Sequence, residues 1–204
     1  YRLTIPPSTQ ERKIIIVAKD AVRSNISLNE KEFKHYSAAD YDYLILSSKR
    51  LIEGTLGDGM VEEYTNYRSS FEGGSYKVFT VAVEDLFDEF GFGIHGHSIS
   101  LRNFFQYSRQ IWPQLKHVLI LGKGLEYQIY RKSGLDQNNF VPTYSMPAAD
   151  YLMISDENRL PFLALGRLPA INGAEIKFYL DKVKEHEAVL RNTTHSLESR
   201  EWIK

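Results

Sequence analysis

The chain has 204 residues and a net charge of −1 without a basic block, which argues against a nucleic-acid-binding surface. No apolar run approaches the ~20 residues that a membrane-spanning helix needs, so no membrane span is expected. Cysteine is absent, which excludes disulfides, thiolate metal sites and a cysteine nucleophile from this segment. Because the chain opens at Tyr1 without Met or a signal peptide, it is expected to be a segment of a longer protein.

The first part of the chain predicts an extended lead-in followed by strands and a helix. Residues 1–12 form the lead-in, and Lys13–Ala18 is a continuous β-branched run typical of a strand covered on both faces. Tyr41–Leu46 and Tyr76–Val83 predict two further strands. Between them, Met60–Phe71 carries aromatic residues at helical spacing and predicts a helix.

The middle of the chain continues the alternation of helices and strands. Glu84–Phe92 predicts a short acidic and aromatic helical turn, and Ser98–Trp112 predicts a longer helix. His117–Leu121 predicts a buried strand, followed by a turn at Gly122-Lys123-Gly124 and a loop-rich stretch over Leu125–Met146. The alternation indicates an α/β fold, in which helices flank a mostly parallel sheet.

The last predicted unit is a strand, a loop and a capped helix. Phe162–Leu165 reads as a buried strand and Gly166–Pro169 as the loop that follows it. Asn172 is expected to cap the helix, with Glu175 as its reciprocal partner. An apolar stripe along this helix is expected to pack on the sheet; it consists of Ile176, Leu180, Val183 and Leu190.

Few side chains suggest chemistry by their spacing alone. His95-Gly96-His97 resembles a metal-binding pair, but it lacks a third ligand at a known spacing and is expected to be a loop leading into the next helix. The acidic group Glu84, Asp85, Asp88 and Glu89 is expected to be the solvated start of a short helix. Asp150, Asp156 and Glu157 flank the short segment Tyr151–Ile154 and read as turn residues.

The turn at Gly122–Gly124 is the other candidate. It matches neither the dinucleotide-binding nor the P-loop pattern, so its signal for a phosphate site is weak. It nevertheless follows a predicted parallel strand, at the sheet edge where α/β proteins usually place their sites. Nucleotide binding therefore stays open as a hypothesis for the function, and it is the weakest of three.

An ordered set of segments carries a resemblance to a known family. The set comprises Asp40–Leu46, Val83–Phe90, Ser100–Phe105, Trp112, Val118–Gly122, Val141–Tyr144, Ala149–Tyr151, Gly166–Pro169 and the predicted helix that ends in Glu187. With these segments the chain resembles the gingipain-type cysteine peptidases, a caspase-like family of Bacteroidetes that includes the type IX secretion signal peptidase. The resemblance extends from about Tyr41 to Trp202.

The resemblance implies that this chain is one part of a longer protein whose catalytic residues lie in another part. The family's catalytic domain has two α/β lobes, and its catalytic Cys and His both lie in the second. Residues 1–204 therefore look like a single first lobe, with residues 191–204 starting the connection to the second lobe and no catalytic residue of their own. The implied partners are that second lobe and a peptide substrate, and the implied location is extracellular or on the cell surface.

The resemblance also nominates residues for the substrate cleft. An Asp in a Ser-Asp motif lines the substrate pocket of the gingipains that cleave after basic residues, and Ala149-Asp150 matches it here. The expected substrate-binding residues are Asp150, Tyr151, Gly122 and Lys123. Calcium is compatible with the family, but Lys123 stands where an acid is usual, so a calcium contact at this turn is in doubt and no metal ligand is nominated.

Two questions stay open at the level of sequence. The parent protein is either a cysteine peptidase or a non-catalytic relative that serves as a surface or secretion-associated binding module, to which the departures at Lys123 and Ala149 lend mild support. Arg167 either pairs with a carboxylate such as Asp150 or caps a sheet edge.

Overall fold

The computed structural model describes residues 4–21, 30–133 and 136–192 of the chain, which divides into two compact units, residues 1–32 and 33–204. In the first unit, residues 4–12 form neither helix nor strand, and Lys19–Ala21 form one turn of 3₁₀ helix. The predicted buried strand at Lys13–Ala18 is wrong. Ile15 and Ile16 are 85% and 79% exposed. β-Branched residues favour extended backbone, but a strand also needs a hydrogen-bonding neighbour, which the described residues of this unit do not supply.

The second unit contains a four-stranded sheet in which every neighbouring pair is parallel, so the predicted α/β class is confirmed. The strands follow the order β2-β1-β3-β4. Their bounds are β1 Tyr43–Ser47, β2 Val78–Ala82, β3 His117–Leu121 and β4 Ala164–Leu168. Ile45 of β1 lies opposite Thr80 on one side and Leu119 on the other. Every residue of β1 is buried, as its continuous apolar run predicts.

Six helices accompany the sheet among the described residues. They are α1 Lys49–Ile52, α2 Met60–Ser69, α3 Val83–Phe90, α4 Ile99–Ile111, α5 Tyr127–Ser133 and α6 Gly173–Asn192. Helix α5 lies in the stretch that the sequence assigns to loops. Two 3₁₀ helices cover Asp136–Asn138 and Asp150–Ile154. Among the described residues, no helix combines the length and apolar character needed to cross a membrane.

Helices α2 and α6 cover one face of the sheet. The Arg68 guanidinium lies 5.7 Å from the ring of Tyr43 on β1 and 5.4 Å from the ring of Tyr64 on its own helix. It also forms an ion pair of 2.8 Å with Glu187 of α6. The pair joins the two helices because Arg68 belongs to α2 and Glu187 to α6. Both side chains are largely buried, so water screens their attraction only weakly.

Helix α4 covers the opposite face through aromatic packing. Phe79 of β2 lies opposite Leu44, one residue along from Tyr43 and therefore on the other face. Its ring packs 5.1 Å from Trp112, whose ring lies 5.9 Å from Phe104 of α4. The aromatic richness of the sequence is thus used here for the core.

Strand β4 departs from its prediction in position and in burial. The predicted strand Phe162–Leu165 starts two residues early, and Gly166–Leu168 belong to the strand and not to a following loop. The strand pairs only with β3 among the described residues, and its residues are exposed or half-buried. An edge strand is covered on one side only, which explains why the expected full burial is wrong.

Helix α6 begins as the sequence predicts. Asn172 Oδ1 accepts a hydrogen bond from Glu175 N at 3.0 Å, and the Glu175 carboxylate accepts one from Ile171 N at 2.9 Å. Ile176 and Leu180 are fully buried, whereas Leu190 is 51% exposed, so the apolar stripe packs only over the first turns. The predicted connection at 191–204 lies beyond the described residues after residue 192.

Candidate functional site

The candidate site lies at the carboxyl edge of the sheet, where the loops that follow the strands meet. The chain leaves β1 towards β2 and leaves β3 towards β4, in opposite directions, although β1 and β3 are neighbours. In open α/β sheets, ligands bind at such a point because the diverging loops leave a crevice between them.

Arg167 joins the loops on the β3–β4 side of this edge. Its Nε donates to Asp150 Oδ2 at 2.5 Å and its Nη2 to Asp150 Oδ1 at 3.0 Å, which is a bidentate ion pair. Nη1 donates to Gly122 O at 2.9 Å and to Val141 O at 2.8 Å, and Nη2 also donates to Pro142 O at 3.3 Å. A guanidinium has five N–H groups, so these five acceptors use all of them.

Gly124 allows the loop after β3 to approach this cluster closely. A Cβ atom on Gly124 would lie 2.4 Å from Val141 O and 3.1 Å from Arg167 Nη1. The first of these distances is too short for any side chain to be tolerated without movement of the backbone. The glycine therefore serves close packing against Arg167.

The structure brings together two of the four predicted substrate-binding residues. Gly122 and Asp150 both bind Arg167, through a carbonyl and a carboxylate respectively. Lys123 and Tyr151 have exposed side chains, and Tyr151 is 51% exposed. Of the two roles that the sequence leaves open for Arg167, the pairing with Asp150 is present, and the same side chain also holds the loops at the sheet edge.

The backbone of the glycine turn does not form a phosphate cradle. Gly122 N donates to Leu168 O and Lys123 N donates to Ala170 O, each at 2.9 Å. Lys123 O in turn accepts from Phe140 N at 2.8 Å. These amides are therefore already bound by protein carbonyls, in agreement with the mismatch between this turn and the phosphate-binding patterns.

The two histidines of the His95-Gly96-His97 segment make separate local contacts. His97 Nδ1 accepts a hydrogen bond from Ile99 N at 3.1 Å, at the start of α4. His95 Nε2 lies 3.4 Å from Asp88 Oδ1, and its side chain is 64% exposed. In the part of the chain that the structure describes, no group of three His, Asp or Glu side chains is arranged to hold a metal ion.

The glycine turn is also a poor place for calcium. Gly122 O, an oxygen that could coordinate the ion, already accepts from the Arg167 guanidinium, and Lys123 adds a positive side chain. Calcium requires six or more oxygen ligands, and this donor set does not fit. Calcium binding elsewhere in the protein stays a prediction.

Two acidic residues at the start of α3, Glu84 and Asp85, are hydrogen-bonded or ion-paired and not solvated, which corrects the prediction for them. Asp85 is 8% exposed and lies 2.6 Å from Lys34 Nζ and 2.7 Å from Lys49 Nζ. Glu84 accepts hydrogen bonds from Ser48 Oγ at 2.5 Å and from Lys49 N at 2.9 Å. Burial alone would raise the pKa of Asp85, but the bonds from the two lysines outweigh it and lower that pKa.

A cavity of about 520 Å³ opens where β1 and β2 end, and the sequence interpretation did not foresee it. Ser48 and Arg50 of the segment after β1, Glu84 after β2, and Phe140 line it. The one available signal was the position of Ser48 and Arg50 just after a parallel strand, since residues there face the usual binding edge.

Comparison with known proteins places these features in a wider context. The model of peptidase family C25 matches residues 36–203 of the chain. Among solved structures, the chain is similar to dimeric latent PorU from Porphyromonas gingivalis, with 21% sequence identity and a TM-score of 0.49. The match covers 69% of this chain, which spans 15% of that one. A search of curated protein sequences gives no match.

Replacing Arg167 with Lys is expected to lower the free energy of unfolding by about 2 kcal/mol. A lysine has three donors and no planar fork, so at least two of the five acceptors that Arg167 binds lose their partner. Urea unfolding followed by circular dichroism measures the loss. The matched control is Arg109→Lys, since Arg109 is exposed and lies over the Phe162 ring at 5.0 Å. Equal stability of the two variants would contradict this role.

Replacing Asp85 with Asn is expected to cost roughly 1 to 2 kcal/mol at neutral pH and progressively less in acid. The folded-state pKa of Asp85 lies below its ordinary value of 3.8, so the stabilisation is fully present above that value and is lost as the pH falls through the folded-state pKa. The free energies of unfolding of the original chain and of Asp85→Asn, measured between pH 7 and pH 3, show whether the two stabilities converge in acid. Asp181→Asn, which alters an exposed pair with Lys177, is the control; a constant difference for Asp85→Asn at all pH values would refute the assignment.

Proposed function

The chain belongs to peptidase family C25, the gingipain family, and we propose that it is the N-terminal lobe of a gingipain-like cysteine endopeptidase. The observation that carries the proposal is the family match over residues 36–203, which covers nearly the whole of the second unit. The chain itself has no cysteine. A peptidase of this type needs a thiolate nucleophile, so the proposal assigns the nucleophile to a downstream lobe.

In the proposed mechanism, this lobe supports chemistry that takes place on its neighbour. A downstream Cys attacks the peptide carbonyl and a downstream His exchanges the proton with the leaving amine. The described chain contributes packing and residues that shape the substrate cleft. The carboxyl edge of the sheet is the natural place for this contribution, because all four parallel strands end there.

We propose Asp150, Tyr151, Gly122 and Lys123 as the residues that border the cleft. The exposed side chains of Tyr151 and Lys123 support this, since both are accessible to a peptide. Asp150 is 18% exposed, and each of its carboxylate oxygens accepts one bond from Arg167. A further lone pair on each oxygen stays available to a substrate ammonium or guanidinium.

The ion pair with Arg167 affects how strongly Asp150 attracts a basic substrate side chain. A carboxylate whose charge is already compensated attracts a second cation less than an isolated one does. We therefore expect the preference of this cleft for basic substrate residues to rest on hydrogen-bond geometry more than on net charge. Family membership further supports an extracellular or cell-surface location for the parent protein.

The same ion pair favours a second candidate function. If Asp150 serves Arg167 alone, the cleft has no acid to select a substrate residue, and the lobe fits a non-catalytic binding module on the cell surface or in secretion. Lys123 and Ala149, which depart from the family pattern, point in the same direction.

A thiol-reactive peptide probe is expected to label the parent protein that contains this chain and its downstream lobe. The probe carries Lys or Arg next to the reactive group, and mass spectrometry locates the modified residue. Labelling of a downstream Cys supports the peptidase and excludes the non-catalytic module. Absence of any labelling in folded protein, or a downstream sequence without a His-Gly motif followed by a Cys, would exclude the peptidase.

Replacing Asp150 with Ala in the parent protein is expected to reduce kcat/KM for substrates with Lys or Arg before the cleaved bond by about tenfold, a charge-assisted bond being worth roughly 1.5 to 3 kcal/mol. Substrates with a neutral residue there are expected to lose much less. The comparison separates recognition from stability, because misplacement of the loops affects both substrates alike. Asp181→Ala is the control, and equal losses for basic and neutral substrates would show that Asp150 only holds Arg167.

A further inference from the structure

The cavity at the ends of β1 and β2 contains a cation, Arg50, that has no acidic partner in the part of the chain that the structure describes. The Arg50 guanidinium lies 4.2 Å from the centre of the Phe140 ring, and its Nη1 donates to Gln137 O at 2.8 Å. Within the described ranges, Arg50 forms no ion pair with a carboxylate, whereas Arg68 and Arg167 pair with Glu187 and Asp150. Arg50 is half-buried, so water does not fully replace the missing counter-charge.

Stacking on Phe140 gives this guanidinium a fixed orientation. Phe140 is 4% exposed, and its amide donates to Lys123 O at 2.8 Å, so the ring is held by the loop after β3. A cation over an aromatic face at this distance is attracted to the ring. The fork of N–H groups is therefore positioned before any ligand arrives, which reduces the cost of binding.

The acidic residue of the cavity is already bound. Glu84 accepts from Ser48 Oγ and from Lys49 N, so both of its oxygens have donors. His95, which also lines the cavity, lies 3.4 Å from Asp88. Each Glu84 oxygen keeps a further lone pair, as each Asp150 oxygen does, so Glu84 can still accept a bond from a ligand. The group of the cavity that attracts an anion is the donor face of Arg50, beside the apolar rings of Phe87 and Phe140.

We propose that this cavity binds a carboxylate carried by a peptide, with Arg50 as the residue that recognises it. Arginine holds a planar carboxylate through two parallel N–H···O bonds, and the stacked geometry leaves such a fork available. The volume of about 520 Å³ is within the range of small-ligand sites and accommodates a short peptide segment. The topology supports the assignment, because residues of the connections after β1 and after β3 both line the cavity, and these connections leave two neighbouring strands in opposite directions.

Carboxylate binding at this cavity requires the fold and Arg50 but no peptidase activity. The test is a titration of the 204-residue chain, labelled with ¹⁵N, at constant ionic strength. One ligand is blocked glutamate, whose carboxylate is in the side chain, and a second is acetylated glycine, whose carboxylate is C-terminal. Saturable shifts of the Arg50, Glu84 and Phe140 signals are expected with at least one of them, and the tighter ligand identifies the source of the carboxylate.

Blocked glutamine and inorganic phosphate are the comparison ligands. Blocked glutamine has the size of the glutamate ligand without its charge and is expected to give no saturable shift. Phosphate is not planar and is expected to bind at least several-fold more weakly than the better carboxylate. Equal binding of either comparison ligand, or no saturable binding of any carboxylate, would overturn the proposal.

Variants of Arg50 locate the binding in the cavity. Arg50→Gln is expected to weaken carboxylate binding by about tenfold or more, which is the effect of losing a charge-assisted bond. Arg50→Lys keeps the charge but not the planar fork, and is also expected to bind several-fold more weakly. Arg109→Gln is the matched control, because Arg109 likewise stacks on a phenylalanine ring, Phe162, and is expected to leave binding unchanged.

The outcomes remain decisive if one variant folds poorly. Circular dichroism and the melting temperature of each variant show whether the fold is intact, and Arg50→Lys carries the test if Arg50→Gln unfolds. Carboxylate binding by a folded Arg50 variant that equals the binding of the original chain would overturn the assignment. Loss of binding in Arg109→Gln would do so as well.

Discussion

Strand β1 sets the constraint that the rest of the second unit satisfies. All five of its residues are buried, so the strand needs neighbours on both edges and helices on both faces. Strands β2 and β3 supply the edges, α2 and α6 cover the face of Tyr43, and α4 covers the face of Leu44. The same arrangement sends the chain away from β1 and β3 in opposite directions, which is why the loops at the carboxyl edge leave room for a site.

The elements that were predictable are those whose signal is local. Strand β3 has the predicted bounds of His117–Leu121, and the Asn172 cap starts α6, because apolar runs and caps depend on adjacent residues. Lys13–Ala18 has an equally strong local signal, yet pairing partners decide whether such a run becomes a strand. The displacement of β4 has a similar cause, since the register of this strand is set by its pairing with β3.

The site was less predictable because its residues meet across long stretches of chain. Position after a parallel strand was enough to nominate Gly122, but the partners of Asp150 and Asp85 are set by tertiary packing. Three arginines illustrate the difference. Arg68 and Arg167 have carboxylate partners and hold helices or loops in place, whereas Arg50 has an aromatic ring and a backbone carbonyl. Residue type alone does not separate a structural guanidinium from one that is open to a ligand.

The position of Arg167 along the chain has a consequence for biosynthesis. Every group that it binds, from Gly122 to Asp150, precedes it in sequence. A growing polypeptide therefore exposes these loops before the side chain that fastens them has been made. The arrangement that Arg167 holds can therefore form only after translation has reached β4.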